Sequence, residues 1–507
     1  MMIDRREFLG RIAAGGTTLA MPLILPGCAT QSEPVVEQPV PDNLFSSWFG
    51  IEQPSVSQVM SQLTNGSADF ADAFFQVSSH NRIVFENGVV TEAASESRQG
   101  AALRVVNGSE VGFATTQDLG LPALLDAART ASRGGVSDAA FALTMGNKHD
   151  LYAVGLPWSR VAQARKVGVL EYLDRQTRAQ EGAVESVLVR WDDVEEHVMI
   201  ATADGELVSD TRPLTRLTLI VTAQRGEARQ TGFAGLAVRD GIEVYSEERL
   251  NALVTEAIER TMIQFEARRA PAGELPVVLA AGTGGVLLHE AIGHHFEADF
   301  VQAGSSAYAG RLGDGIAESM VTLVEDTSLP GEPGALNFDD EAAETGRTVL
   351  VENGVLRSFV HDRLTARAFG VAPTGSGRRG SFEHMPLPRL TSTFLENGPH
   401  SRDEIIASLD RAVVCETFSG GQADIESGDF DFTVKNGWLV EKGQVTGPTK
   451  DFRIAGNSGD LLGRITMLGD DSRMDPAGWI CGKQGRNLPV SHGAPTMLVS
   501  GLAVSPL

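Results

Sequence analysis

The chain is 507 residues long, with 66 acidic against 42 basic side chains and a formal net charge of -24. That negative surplus argues against nucleic acid and against an anionic membrane surface as partners, since both are bound through basic patches. It leaves a bound dication admissible, and the length supports a large core in roughly two or three domains.

Asp4-Arg5-Arg6-Glu7-Phe8-Leu9 has the form of a twin-arginine export signal, and the apolar run Ile12 to Leu25 behind it is too short to span a bilayer. Leu25-Pro26-Gly27-Cys28 reads as a lipobox, where cleavage leaves Cys28 to carry lipid; a plain cleaved signal with an incidental cysteine is the alternative. Ala29 rather than aspartate follows that cysteine, which points to a periplasmic protein anchored to the outer membrane. Residues 1–28 are therefore expected to be a signal with lipobox, and 29–55, rich in Pro, Glu, Gln and Ser as far as 43, a tether. Twin-arginine export carries folded proteins, which suits one that takes up metal before export.

Residues 56–150 are expected to form an N-terminal α/β domain. A short helix over 54–64 leads into strands at Asp69–Ser79, Asn81–Glu92, with Asn87-Gly88 as a hairpin corner, and Gly100–Val106, closing at Gly112-Phe113-Ala114. Leu121, Leu124, Leu125 and Ala128 share a stripe in a helix over 118–132, and 133–150 reads as a polar linker. The middle α/β segment, 151–270, begins with a helix capped by Ser159 and running to Gln180. Val187–Ala203 then reads as a hairpin about Asp192 and Asp193, followed by a turn at Gly205–Val208 and a strand at Arg216–Gln224. Ser246–Arg269 is the clearest helix, with Leu250, Leu253, Val254, Ala257, Ile258, Met262 and Phe265 at helical spacing.

The remainder, 271–507, is expected to be β-rich. Hairpins with Asn-Gly corners are expected at Val349–Leu356 and Phe432–Val440, and an apolar strand at Thr496–Val504. One helix interrupts it. Leu275–Ala281 reads as a buried strand, Gly282-Thr283-Gly284-Gly285 as a turn, and His289-Glu290-Ala291-Ile292-Gly293-His294 as a helix carrying H-E-x-x-x-H. This is one residue longer than the H-E-x-x-H metal motif. At ~100° per residue an i, i+5 pair sits about 140° apart, so His289 and His294 share an ion only if the helix distorts or ends between them. Gly293 is the expected place for that distortion. With zinc, the two imidazoles would be two of three protein ligands and Glu290 the base that takes a proton from water. A helix end with solvated His and Glu is the alternative. Cys415 and Cys481, the cysteines beyond Cys28, form either a disulfide or one ligand and one buried thiol.

Several separated stretches then converge on one family. His289 to Asp299, Asn337-Phe338-Asp339-Asp340-Glu341, Pro373 to Arg379, Pro388 to Thr393, Gly420-Gly421-Gln422, Ser427 to Phe430 and Cys481-Gly482-Lys483 together resemble the TldD/PmbA metallopeptidases, on the side of the catalytic TldD-like members. Weaker agreement reaches back to Ala71-Asp72 and Gly112-Phe113-Ala114, so the likeness covers nearly everything after residue 60.

The resemblance implies an α+β protein, an N-terminal α/β region followed by a β-rich C-terminal catalytic domain that carries the metal helix. It implies Zn2+ held by His289, His294 and Cys481 with Glu290 as general base, acting on extended, unfolded peptides. It also implies a dimer, either a homodimer or one with a TldE/PmbA-like subunit. His295 is a weaker candidate ligand beside His294, and Glu297 either orients a ligand or is solvated. Cys415 reads as a core thiol in a buried strand. Arg378, Arg379 and Arg389 either hold substrate or form surface salt bridges, and His384 is either a carbonyl-polarising group or a structural histidine. The export signal departs from the usual cytoplasmic members. The rival functions are a non-catalytic partner subunit, against which the intact His289, Glu290, His294 and Cys481 argue, and a lipoprotein that binds peptides without cutting them, which a zinc-replete protein with no turnover would favour.

Overall fold

A computed structural model of the protein describes residues 45–507 apart from 66, 67, 109, 134–140, 147, 148 and 153, so the signal, the lipobox and most of the tether lie outside the described residues. The chain is mixed α+β and rich in strand, with three seven-stranded sheets and a small two-stranded one among the described residues.

The first sheet holds β1 (Phe70–Glu86), β2 (Val89–Asn107), β3 (Glu110–Thr116), β4 (Thr144–Met145), β5 (Val184–Thr202), β6 (Glu206–Arg225) and β7 (Ala228–Val238). Its order is β3-β2-β1-β5-β6, with β4 and β7 both pairing with β6. Asn87 and Gly88 turn β1 into β2 with φ of 49° and 85°, the left-handed geometry a tight hairpin needs. Because β1 runs antiparallel to β5 over Asp72–Glu86, the 56–150 and 151–270 segments share this one sheet.

Alternation along the strands separates its two faces. Phe75, Leu103 and Met199 pack under α1 (Gln53–Leu63) and α2 (Leu121–Ser132) through Val56, Val59, Leu124 and Ala128. Phe49 and Ile51, assigned to the tether on composition, are buried in the same cluster. Further along, Val189, Trp191 and Leu219 pack under α3 (Gln163–Gln180) and α4 (Glu247–Met262). The opposite face carries Phe74, Ala102 and Val198 against Phe338 and Phe382 of the C-terminal half.

Buried ion pairs bind that junction. Asp72 pairs with both Arg104 and Arg379, Arg104 Nη2 also lies 2.7 Å from Glu341, and Arg212 Nη1 lies 2.6 Å from Asp340. Charges this deep are costly to leave unpaired. The stretches Ala71-Asp72, Asn337–Glu341 and Arg378-Arg379 therefore hold the two halves together.

Four expectations are corrected. Ser159 does not cap α3: its N–H and hydroxyl both donate to Glu195, at 2.9 and 3.0 Å, and the helix starts at Gln163. Val187–Ala203 is no hairpin but part of β5, where Asp193 accepts from Lys166 and Trp191 and Asp192 from Arg82. The long helix is capped by Ser246 but ends at Met262, with a tight turn to Phe265. Phe432–Val440 is unbroken strand.

In the C-terminal half, β8 (Gly273–Leu279) lies between parallel β15 (Arg411–Ala423) and antiparallel β23 (Met497–Pro506). That sheet continues through β18 (Phe452–Asn457), β16 (Asp429–Glu441) and β17 (Gln444–Thr449), with β19 (Ile465–Leu468) beside β23. The other sheet holds β9 (Leu323–Asp326), β10 (Arg347–Glu352), β11 (Val355–Leu356), β14 (Ser392–Leu395), β20 (Arg473–Met474), β21 (Trp479–Lys483) and β22 (Arg486–Ala494). β12 (Gly377–Arg378) pairs with β13 (Leu387–Pro388) as the small sheet. Between the two large sheets lies the segment 285–296: Leu287, Leu288, Ala291 and Phe296 share one core with Val277, Val413, Leu323 and Leu350.

Candidate metal centre

β8 delivers the chain to this core, and Gly282, at φ +79°, turns it. Gly285 sits where a Cβ would lie 2.6 Å from the Gly493 backbone, so no larger residue fits without a shift. Leu288–Ile292 is π-helical: the Gly293 N–H donates to the Leu288 carbonyl five residues back. This wider turn satisfies the i, i+5 requirement. The His289 and His294 rings end up with centroids 5.2 Å apart, inclined at 78°. The distortion thus lies in the turn before Gly293, which is itself right-handed at φ -58°. Gly293 is needed for space, because a Cβ there would meet Leu390 Cδ1 at 2.5 Å.

The structure brings His289, Glu290, His294 and Cys481 together, with one donor atom from each lying within 4.8 Å of the others. Cys481 arrives on β21; its Sγ is 3.2 Å from His294 Nε2, and Glu290 Oε2 is 3.4 Å from the same nitrogen. Arg389 donates to the Cys481 carbonyl at 3.0 Å and so steadies its strand.

Each imidazole is held from behind. His294 Nδ1 lies 3.0 Å from Glu297 Oε2, and Glu297 is fully buried, accepting also from Lys483 Nζ at 2.9 Å and the Leu390 N–H at 3.2 Å. His289 Nδ1 lies 3.4 Å from Thr393 Oγ1, which donates to Glu325 Oε2 at 2.6 Å. His289 Nε2 is buried with no hydrogen-bond partner. An orphaned imidazole nitrogen beside a second imidazole and a thiol fits a zinc-type ion. Support of ligands by carboxylates and hydroxyls fits it equally.

The electrostatics agree. Burial opposes ionisation of Cys481, but His294 and His289 overcome it and draw the thiol down to about 5. Burial likewise opposes Glu290, yet the hydrogen bond from His294 and the charge of His289 lower it to about 2. Glu297 is held well below the usual carboxylate range against its burial by Lys483 and His294.

The neighbours separate cleanly. His295 stands outside the cluster: its Nδ1 accepts the Ala307 N–H at 3.2 Å, and burial, then the nearby His294, lowers it to about 4, the value of a neutral core histidine. Cys415 and Cys481 are both free thiols, and Cys415 is buried in β15 with its pKa raised by that burial. Arg378, Arg379 and Arg389 form no surface salt bridges, because all three are buried. His384 is half-buried and bonds Ser381 Oγ at 3.0 Å. Lys483 and Thr393 sit in the stretches that carry the family likeness with no role of their own assigned there, and Glu325 carries no signal in sequence. Lys483 was legible in principle, since it follows Cys481 by two in a strand and so shares its face.

Residues 71–134, 156–265 and 272–506 match the family profiles described as PmbA/TldA metallopeptidase domain 1, central domain and C-terminal domain. The chain is 34% identical to the metalloprotease TldD homolog of Haemophilus influenzae over 454 residues, covering 87% of this chain and 94% of that relative. It is 26% identical to the zinc metalloprotease TldD homolog of Saccharolobus solfataricus over 365 residues, covering 71% of this chain and 80% of that relative. In structure it resembles TldE from Thermococcus kodakarensis, with a TM-score of 0.69 at 19% identity, covering 89% of this chain and 99% of that one. A Thermotoga maritima protein described as a putative modulator of a DNA gyrase shares the fold at a TM-score of 0.70 and 23% identity, covering 86% of this chain and 96% of that one.

Proposed function

The chain belongs to the TldD/PmbA metallopeptidase family, and from that membership we propose a zinc-dependent peptidase in which His289, His294 and Cys481 hold the ion and Glu290 is the general base. The observation that carries the reading is one donor set of two imidazoles, a low-pKa thiol and a carboxylate within 4.8 Å. When bound there, zinc would polarise a peptide carbonyl and lower the pKa of water.

The chain's own residues supply the rest. Thr393 and Glu297 fix the ring orientations of His289 and His294. Glu290, ionised at neutral pH and partly open to solvent, takes the proton from the attacking water and passes it to the leaving amine.

The substrate is an extended, unfolded peptide. β21 pairs with β22 on one edge, and among the described residues no strand occupies its other edge beside Cys481. A peptide adding there binds through main-chain hydrogen bonds that tolerate many sequences. The protein works as a homodimer or beside a TldE/PmbA-like subunit, exported by the twin-arginine route and lipid-anchored at Cys28. Replacing Cys28 by Ser would release it from the membrane fraction; unchanged fractionation would refute the anchor.

The decisive test pairs zinc content with turnover of an unstructured peptide. Wild type should hold one zinc per chain and cut. Cys481→Ser should lose the metal, and Glu290→Gln should keep it while losing activity by roughly 10²- to 10⁴-fold. A zinc-free wild type, or full activity in Glu290→Gln, would overturn the reading.

A further inference from the structure

Against the sheet face that carries Phe74, the two halves of the chain enclose a chamber of about 500 Å³. That is within the range of about 300–1,000 Å³ usual for small-ligand sites. Its wall adjoins the metal centre. Trp479 and Ile480, the two residues before Cys481, line it, as does Leu488, the register partner of Cys481 on β22. Arg378 reaches from the chamber to the Leu390 carbonyl at 3.1 Å, and the N–H of that same residue is held by Glu297 behind His294. A single residue of backbone joins the two sites.

The chamber is cationic in a chain whose net charge is -24. Among the described residues seven arginines and four carboxylates line it, and each of these carboxylates is paired. Asp192 pairs with Arg82, Glu96 with Arg98, and Asp340 and Glu196 with Arg212. The fourth paired arginine, Arg379, is held by Asp72.

Arg216, Arg239 and Arg378 remain. Among the described residues their hydrogen bonds go only to backbone carbonyls: Ala477 and Gly478 for Arg216, Pro333 and Pro213 for Arg239, and Leu390 for Arg378. A guanidinium has five N–H donors, so each keeps several unused. Arg239 is 5% exposed and Arg378 2%. Asp340 acts on Arg378, and Glu196 and Asp210 on Arg239, only from beyond ion-pair contact, and a buried cation with no carboxylate in direct contact is costly. Burial depresses all three, Arg378 to about 9. An anion in the chamber relieves that cost.

We propose that Arg216, Arg239 and Arg378 form a carboxylate-binding subsite, so that the enzyme selects peptides presenting an anionic group beside the scissile bond. Calling the ligand a peptide rests on the peptidase reading; the cationic subsite itself does not. The carboxylate comes from a free C-terminus or from an Asp or Glu side chain, and forked guanidinium hydrogen bonds recognise either.

The test uses the full chain carrying Glu290→Gln, loaded with zinc, so that binding is read without cleavage. An unstructured peptide with a free C-terminus and internal glutamates is compared with its C-amidated form and with its Glu-to-Gln form. Trp479 fluorescence reports occupancy, with Trp479→Phe as the control for the other tryptophans. We expect at least one neutralised peptide to bind roughly ten-fold more weakly or worse, as losing a charged hydrogen bond implies. The peptide affected names the source of the carboxylate. In Arg378→Met and Arg239→Met the three peptides should bind alike, and Arg216→Met, at a half-buried site, stands in should either fail to fold by circular dichroism. Equal binding of all three peptides to the parent would overturn the proposal, as would discrimination surviving in every folded arginine variant. A wild type that binds with this selectivity and never cuts would sink the peptidase reading and leave the subsite standing.

Discussion

Glu297 offers the sharpest test of how the metal centre is built. Its carboxylate is fully buried and takes hydrogen bonds from His294, Lys483 and the Leu390 N–H. Glu297→Gln keeps the shape and an acceptor oxygen but removes the charge. A hydrogen bond to a charged acceptor is worth about 1.5–3 kcal/mol, and a neutral one about half that. The His294 ring therefore loses about 1–1.5 kcal/mol of orientation and basicity, or about ten-fold in zinc affinity. Glu297→Ala removes the acceptor altogether and should cost about a hundred-fold, the upper end for partners that support a ligand. The assay is competition for zinc against a chromophoric chelator, run beside urea unfolding of the apo protein. Unfolding should also shift, towards the roughly 3–5 kcal/mol of an orphaned buried charge, because Glu297 is the carboxylate 3.5 Å from the fully buried Arg389. Lys483 is spared that loss, since its Nζ keeps Asp299 at 2.7 Å. Wild-type zinc affinity in both folded variants would refute the role given to Glu297.

Two further outcomes follow from the geometry. Gly293→Ala would press its Cβ onto Leu390 Cδ1 at 2.5 Å and near the Leu288 carbonyl at 3.2 Å. Overpacking of this kind costs about 1–3 kcal/mol; urea unfolding should show it, and pairing with Leu390→Ala should prove non-additive, whereas simple additivity would count against the contact. Asp362 caps the helix Arg363–Phe369, and burial, then the nearby Glu341, raises it from 3.8 to about 6. The folded state therefore favours its protonated form, so this contribution is complete below about pH 4 and is lost as pH rises through about 6. Asp362→Asn should flatten the fall in urea midpoint over that window, and parallel profiles for the two proteins would contradict the assignment.

The two Asn-Gly pairs show what sequence could and could not say. Asn353-Gly354 turns a hairpin with φ of 49° and 79°, as the dipeptide suggests. Asn436-Gly437 has the same letters inside the continuous β16. There Asn436 bonds Thr417 and the Arg260 carbonyl, and a Cβ on Gly437 would crowd Phe452 and the Val414 carbonyl. The first glycine serves a turn and the second a close approach, a distinction set by partners far away in the chain. Asp192 and Asp193 misled for the same reason, since Arg82 and Lys166 make two acidic residues comfortable in mid-strand. The helical arithmetic of His289 and His294 was local, and it anticipated the distorted turn. Glu297 behind His294 is local too, three residues on, but Thr393 lies 104 residues from His289 and Lys483 186 from Glu297, beyond any local pattern.

The place of β8 between β15 and β23 carries a consequence for biosynthesis. β8 leads straight into the metal-binding segment, yet one of its edges is closed by Met497–Pro506, made more than two hundred residues later. Cys481 also emerges late. A ribosome would thus expose the histidines long before the strand that seats them and the thiol that completes the set. Such long-range pairing is slow to form, so zinc would enter after translation rather than during it. Under the proposed twin-arginine export of a finished chain, that moment would fall in the cytoplasm, and loading would depend on the zinc supply there.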